Sequence, residues 1–134
     1  MNFTLEEITT FISTHFPQAN QRFKITAISK NTAEIIFNIQ PDSLRPGGTV
    51  SGPTLMMIAD FALYVAIIAN IETGKQAVTT NLSFNFFKKG SGKHDVRAEC
   101  RLLKVGRTLA TGEVFLYSLN SDDPIAHAIG TFAL

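Results

Sequence analysis

Between Thr54 and Ile71 the chain carries one charged side chain, Asp60, with Leu55, Met56, Met57, Ile58 and Ala59 before it and Phe61, Ala62 and Leu63 after it. The stretch is short for a bilayer span and is broken by a carboxylate, so it predicts a buried helix of a soluble fold and no membrane partner. A helix with so little polar surface has to be enclosed by the rest of the chain. That requirement constrains the fold more than any other feature, because the remaining residues must supply the enclosing layer.

Those residues read mostly as strands. Phe23 to Ser29 and Ala33 to Ile39 flank the turn Lys30-Asn31-Thr32, which predicts a hairpin. From Gln76 the period becomes two: Val78, Leu82, Phe84 and Phe86 are the apolar members of a long strand and Thr79, Asn81, Ser83 and Asn85 the polar ones, one face dry and the other polar. After the basic, glycine-containing turn Lys88 to Lys93, Val96, Ala98, Cys100 and Leu102 alternate with Arg97, Glu99 and Arg101, which turns Cys100 inward. Thr108 to Ser118 and Pro124 to Phe132 read as two further strands around the polar turn Asn120-Ser121-Asp122-Asp123. At the N-terminus, Thr4 and Glu7 form a capping box with Phe3 and Ile8 in staple positions, marking the start of an amphipathic helix. The predicted order is helix, hairpin, long helix and a four-strand meander. This is an α+β fold in which an antiparallel sheet wraps around the central helix. No internal repeat, low-complexity tract or long linker divides residues 1–134, which read as one domain.

A domain of this size has a small stability margin alone, which predicts a homo-oligomer. Twelve Lys and Arg against eleven Asp and Glu leave a net charge of +1, too little for the basic field that holds nucleic acid. The lone Cys100 excludes an intramolecular disulfide and fits a reducing compartment. The first residues lack the basic start and apolar run of a signal peptide, so a cytoplasmic location is expected. His15, His94 and His127 have no ligand spacing with Cys100, and neither a metal nor another cofactor is expected.

The chemistry centres on Asp60. An ionised carboxylate among such neighbours loses hydration that only donors or a counter-charge restore. It either bonds to a neighbouring strand or faces a solvent gap, as structural acids do, or is held in a dry pocket as a general base or nucleophile. The segment Arg45-Pro46-Gly47-Gly48-Thr49-Val50-Ser51-Gly52-Pro53 leads directly into the helix, with Pro53 suited to its first turn. Amides near Gly52 are placed there to polarise an oxygen, as an oxyanion hole does; a tight loop entering a helix explains the same glycines. Thr79 lies on the polar alternation, where its hydroxyl either orients water, holds the carboxylate or simply fits the pleat. Ser51 has no Gly-x-Ser-x-Gly setting and suits a helix N-cap better than a nucleophile. Lys88, Lys89, Lys93, Arg101, Lys104 and Arg107 concentrate positive charge in the second half, suited to a phosphate-bearing ligand if the fold gathers them and otherwise a solvated surface.

Taken together, Gly48-Thr49-Val50-Ser51-Gly52-Pro53, Ala59-Asp60 and Val78-Thr79-Thr80-Asn81-Leu82-Ser83-Phe84 resemble the phenylacetate-degradation type of hotdog thioesterase. The likeness runs from Arg45 to Phe132 and takes in Val105-Gly106-Arg107-Thr108-Leu109-Ala110 and Ala126-His127-Ala128-Ile129-Gly130-Thr131-Phe132. It implies a hotdog fold, a sheet curled around a long helix, paired into homodimers or homotetramers with active sites at subunit interfaces. The implied reaction is hydrolysis of an acyl-CoA thioester to free acid and coenzyme A. By this resemblance Asp60 matches the helix carboxylate that attacks the thioester or activates water, Gly52 the amide that polarises the carbonyl, and Thr79 a residue that positions water from across the dimer. Arg45, Gly48 and Ser51 fall in the substrate-binding loop, and Lys104 and Arg107 are expected near the coenzyme phosphates. Two positions depart from the commoner pattern: Arg45 stands where Asn is usual, and Ser51-Gly52-Pro53 replaces His-Gly-Gly. Arg45 is then available for a carboxylate or phosphate of the substrate. The alternatives are a hotdog protein that binds acyl-CoA without hydrolysing it, an assembly module, and a dehydratase, which needs a histidine at the helix entry that this chain lacks.

Overall fold

The computed structural model describes residues 3–72 and 75–134. Helix α1 (Leu5–His15) starts at the expected capping box: Glu7 N–H donates to Thr4 Oγ1 at 3.1 Å and Thr4 N–H to Glu7 Oε1 at 3.0 Å. Ile8 and Ile12 are its buried side. A short 3-10 turn, Pro17–Ala19, leads into the hairpin β1 (Phe23–Ser29) and β2 (Thr32–Phe37), closed by Asn31 at a φ of 64°, a left-handed conformation that asparagine tolerates. After a second 3-10 turn, Pro41–Ser43, come helix α2 (Gly52–Asn70) and strands β3 (Val78–Phe86), β4 (Val96–Val105), β5 (Leu109–Ser118) and β6 (Ala126–Ala133).

The strands form one antiparallel sheet in the order β1-β2-β4-β5-β6-β3, and α2 packs against it as the core helix. Ile58, Ala62, Leu63, Ala66 and Ala69 of α2 are fully buried, so its length and apolarity serve the interior of a domain. Close approach depends on two glycines: Gly112 and Gly130 are cross-strand partners, and a Cβ on them would lie 2.9 Å and 2.6 Å from the methyls of Leu63.

Two expectations about β3 need correction. The last four strands are not a consecutive meander: β4, β5 and β6 are, but β3 pairs with β6 at the far edge, while β2 takes the place beside β4. Residues 87–95, which join β3 to β4, are too long for a tight hairpin loop and carry the chain across the sheet instead. The strand is also not dry on one face throughout. Its register slips at a bulge between Thr79 and Asn81, so Thr79 lies opposite buried Phe132 and shares the inner face with Leu82 and Phe84. Val78, before the bulge, is 60% exposed.

Candidate active site

The bulge has a chemical result. It turns Thr79 towards α2, where its Oγ1 donates to Asp60 Oδ1 at 2.6 Å, a short charge-assisted bond. Asp60 is partly buried and, among the described residues, has no cation within ion-pair distance. Both structural and chemical readings of this residue therefore meet: it bonds a neighbouring strand, and it also faces a cleft. That cleft has a volume of about 580 Å³ and is walled by Met57, Phe61 and Tyr64 of α2, Ala77 to Thr79, Phe132, and Phe16, Gln18, Ala19, Arg22 and Phe23 from the N-terminal segment. A carboxylate oriented by one hydroxyl and bordered by rings keeps acceptor capacity for the proton of a water or for direct attack.

A second cleft, of about 420 Å³, lies at the start of α2 and is lined by Arg45, Thr49, Val50, Gly52, Leu55 and Phe86 to Gly90. Ser51 caps the helix: Thr54 N–H donates to its Oγ at 3.2 Å, and its own N–H donates to Ser43 O. Pro53 occupies the first turn, and the Gly52 amide makes no hydrogen bond among the described residues, as the first amides of a helix do not. It is thus a free donor at the positive end of the α2 dipole. Thr49 Oγ1, which lines the same cleft, is buried without a partner among the described residues, the kind of atom that a ligand or water satisfies.

Gly47 and Gly48 turn the loop at φ values of 103° and 84°, with Gly48 N–H donating to Arg45 O. Gly48 is needed for that turn and lines neither cleft. Arg45 lines the Gly52 cleft with Lys89, while Lys88 is paired with Asp123 at 2.6 Å. Lys104 and Arg107 stand exposed at the β4–β5 hairpin and line neither cleft. Gly52 and Asp60 are themselves apart: eight residues on one α-helix separate them by about 12 Å along its axis.

Elsewhere, Glu113 on the outer sheet face accepts from Arg101 at 2.7 Å and bonds His127 at 2.9 Å; Arg101 foremost, then His127, holds its carboxyl below the usual range. Cys100 points inward as expected, and burial pushes its thiol up to about 12. Among the described residues no group of three or more His, Cys, Asp or Glu is placed to hold a metal ion.

The sequence of residues 47–125 matches the family model described as the thioesterase superfamily. The chain belongs to the thioesterase superfamily. Thioester hydrolysis is the activity that goes with this membership. No curated protein matches the chain significantly. Among solved structures, the thioesterase is similar to a candidate thioesterase from Silicibacter sp. TM1040, at 37% identity and a TM-score of 0.91 over 98% of this chain and 91% of that one. It also resembles zebra fish thioesterase superfamily member 2, at 20% identity and a TM-score of 0.87 over 99% of both chains. A phenylacetic acid degradation-related protein from Ralstonia eutropha JMP134 shares 22% identity and a TM-score of 0.82 over 89% of this chain and 90% of that one. The fold is the hotdog fold of these thioesterases, as the motif resemblance implied.

Sequence alone does not reveal the N-terminal wall of the Asp60 cleft. Phe16, Arg22 and Phe23 precede the family match, and no motif singles them out. Phe61 and Tyr64, by contrast, follow Asp60 on α2 at spacings of one and four, so the helix period alone places Tyr64 on its face.

Proposed function

We propose that this thioesterase hydrolyses acyl-CoA, at sites that two copies of the chain build together. The observation that carries the reading is the carboxylate of Asp60, held by Thr79 at 2.6 Å in an aromatic cleft. An oxyanion donor and an attacking group must both lie within about 3 Å of one carbonyl. Gly52 and Asp60 of a single chain, about 12 Å apart, cannot both do so.

A second copy removes the difficulty. β3 is an edge strand with its outer side unpaired, and Val78–Phe86 contains neither charge nor proline, so nothing blocks pairing with another strand. Antiparallel self-pairing about a twofold axis at its middle residue, Leu82, sets Val78 and Thr79 of one copy beside Phe86 of the other. Phe86 lies next to Gly52, whose Cβ would be 3.6 Å from its ring. The Gly52 cleft of each copy then adjoins the Asp60 cleft of its partner. Such a dimer also covers the exposed Met57, Val78 and Phe86.

In this arrangement the acyl group enters the Asp60 cleft and the thioester oxygen faces the Gly52 amide across the interface. Asp60 takes a proton from water as its oxygen attacks the carbonyl carbon; Gly52 N–H stabilises the resulting oxyanion, a type of contact worth about 3–4 kcal/mol. Collapse breaks the C–S bond, and the coenzyme leaves as a thiol with that proton. Direct attack by the carboxylate, forming an anhydride that water then opens, uses the same groups. The coenzyme phosphates meet Arg45 and Lys89 at the Gly52 cleft, and Lys104 and Arg107 only if its tail extends beyond both clefts.

The test is release of free thiol from short, medium, long and aromatic acyl-CoAs by wild type and Asp60→Asn. Turnover by wild type that is lost in a folded Asp60→Asn supports the reading. Binding without turnover would identify a non-catalytic acyl-CoA protein instead.

A further inference from the structure

We propose that Phe16, from the segment ahead of the family match, is the end wall that sets how long an acyl chain this thioesterase accepts; the inference rests on the function proposed above. Phe16 terminates α1, its N–H donating to Ile12 O at 2.7 Å, and Pro17 opens the 3-10 turn behind it. Its backbone is therefore fixed from both sides, and its ring stands against α2, edge-on to Tyr64 with centroids 5.2 Å apart and to Phe61 at 6.3 Å. Tyr64 lies four residues beyond Asp60, so this ring pair closes the cleft about 6 Å along the helix from the carboxylate.

Behind the pair lies more space. A further cleft of about 470 Å³, bordered by Phe11, His15, Ile68 and Gln76, shares Phe16, Tyr64, Ala77 and Val78 with the Asp60 cleft. Phe16 and Tyr64 are thus a partition between two cavities, and Phe16 reaches it from the N-terminal segment. Ile8 and Ile12, buried beneath α1, anchor that segment without entering the Asp60 cleft. Removing the Phe16 ring joins the two spaces; enlarging it shortens the first. Acyl length is then set by a segment that can vary while Asp60, Thr79 and Gly52 stay in place.

The experiment measures kcat/KM for straight-chain acyl-CoAs in two-carbon steps with wild type, Phe16→Ala, Phe16→Trp and Tyr64→Ala. A methylene that gains or loses its place in an apolar pocket changes kcat/KM about tenfold or more. Phe16→Ala and Tyr64→Ala are expected to move the optimum at least two carbons longer, with kcat/KM for the longer chain rising about tenfold relative to the wild-type optimum. Phe16→Trp, which removes no packing, is expected to move it shorter, so the test survives even if an alanine variant fails to fold. An active wild type whose length profile is unchanged in the folded variants overturns this inference alone. A wild type that hydrolyses no acyl-CoA overturns the proposed function and this inference with it.

Discussion

Replacing Thr79 by valine removes one hydroxyl and leaves a side chain of the same shape and strand preference. The hydroxyl lost is the one that donates to Asp60 at 2.6 Å. A hydrogen bond to a charged group is worth about 1.5–3 kcal/mol, and because Thr79 is exposed, water recovers part of that. About 1–2 kcal/mol should therefore reach the transition state, a fall of about 5–30-fold in kcat/KM. Thr79→Ser, which keeps the donor, should stay close to wild type. Thr79→Val combined with Asp60→Asn should be no worse than Asp60→Asn alone, because the two act as one unit. The assay is thiol release with the best acyl-CoA of the panel, alongside thermal melting to show that the variants fold. Wild-type kinetics in Thr79→Val would refute the claim that the Thr79 hydroxyl orients the carboxylate.

Three further outcomes follow from the packing and the charges. Gly130→Ala places a Cβ 2.6 Å from Leu63 in the fully buried core, which should cost about 1–3 kcal/mol and lower Tm by several degrees; an unchanged melting curve would mean that Leu63 can turn aside. Cys100, buried and raised to about 12, should ignore a thiol-reactive dye at pH 8 and react once the protein is unfolded in guanidinium, leaving thiol release from substrate free of background; rapid labelling of the native protein would contradict its burial. Glu113 has a folded-state pKa below its ordinary 4.5, so its contribution to stability is complete above that pH and is lost as pH falls through the lower folded value. The stability gap between wild type and Glu113→Gln, measured by denaturant titration, should shrink as pH falls below 4.5; a gap unchanged there would rule out the Arg101 and His127 pairing as its source.

Much of the fold was legible because local chemistry agrees with it. The Thr4–Glu7 box, the Asn31 turn, the Pro53 helix start and the alternation around Cys100 each specify one element by residues within a few positions. Strand order was not legible, since the placement of β3 beside β6 depends on a nine-residue crossing whose path no local signal fixes. The bulge escaped for the same reason: Val78-Thr79-Thr80-Asn81 alternates well enough on paper, and only pairing with β6 shows that Thr80 is the extra residue. At the site, Asp60 stood out because a carboxylate in an apolar helix demands an explanation. Phe16 and Arg22 did not, because an aromatic or a cation near a helix end is ordinary until the partner surface is known. Ser51, without a Gly-x-Ser-x-Gly setting, suits a helix N-cap from sequence alone and is the N-cap of α2. Lys104 and Arg107 are grouped with the site by charge alone, and neither lines either cleft.

A site shared between two subunits can be rebuilt from two inactive variants, each supplying the half that the other lacks. Asp60→Asn removes the attacking group, and Gly52→Pro removes the free amide at a first helical position that accepts proline, with thermal melting to show that the variant folds despite the following Pro53. Each variant alone should be inactive. Unfolded together and refolded in equal amounts, they should form mixed dimers in which one site draws Gly52 from one chain and Asp60 from the other, both intact, restoring about a quarter of wild-type turnover over the whole mixture. A refolded mixture of mixed dimers as inactive as its parents would place Gly52 and Asp60 in separate functions and contradict the shared site.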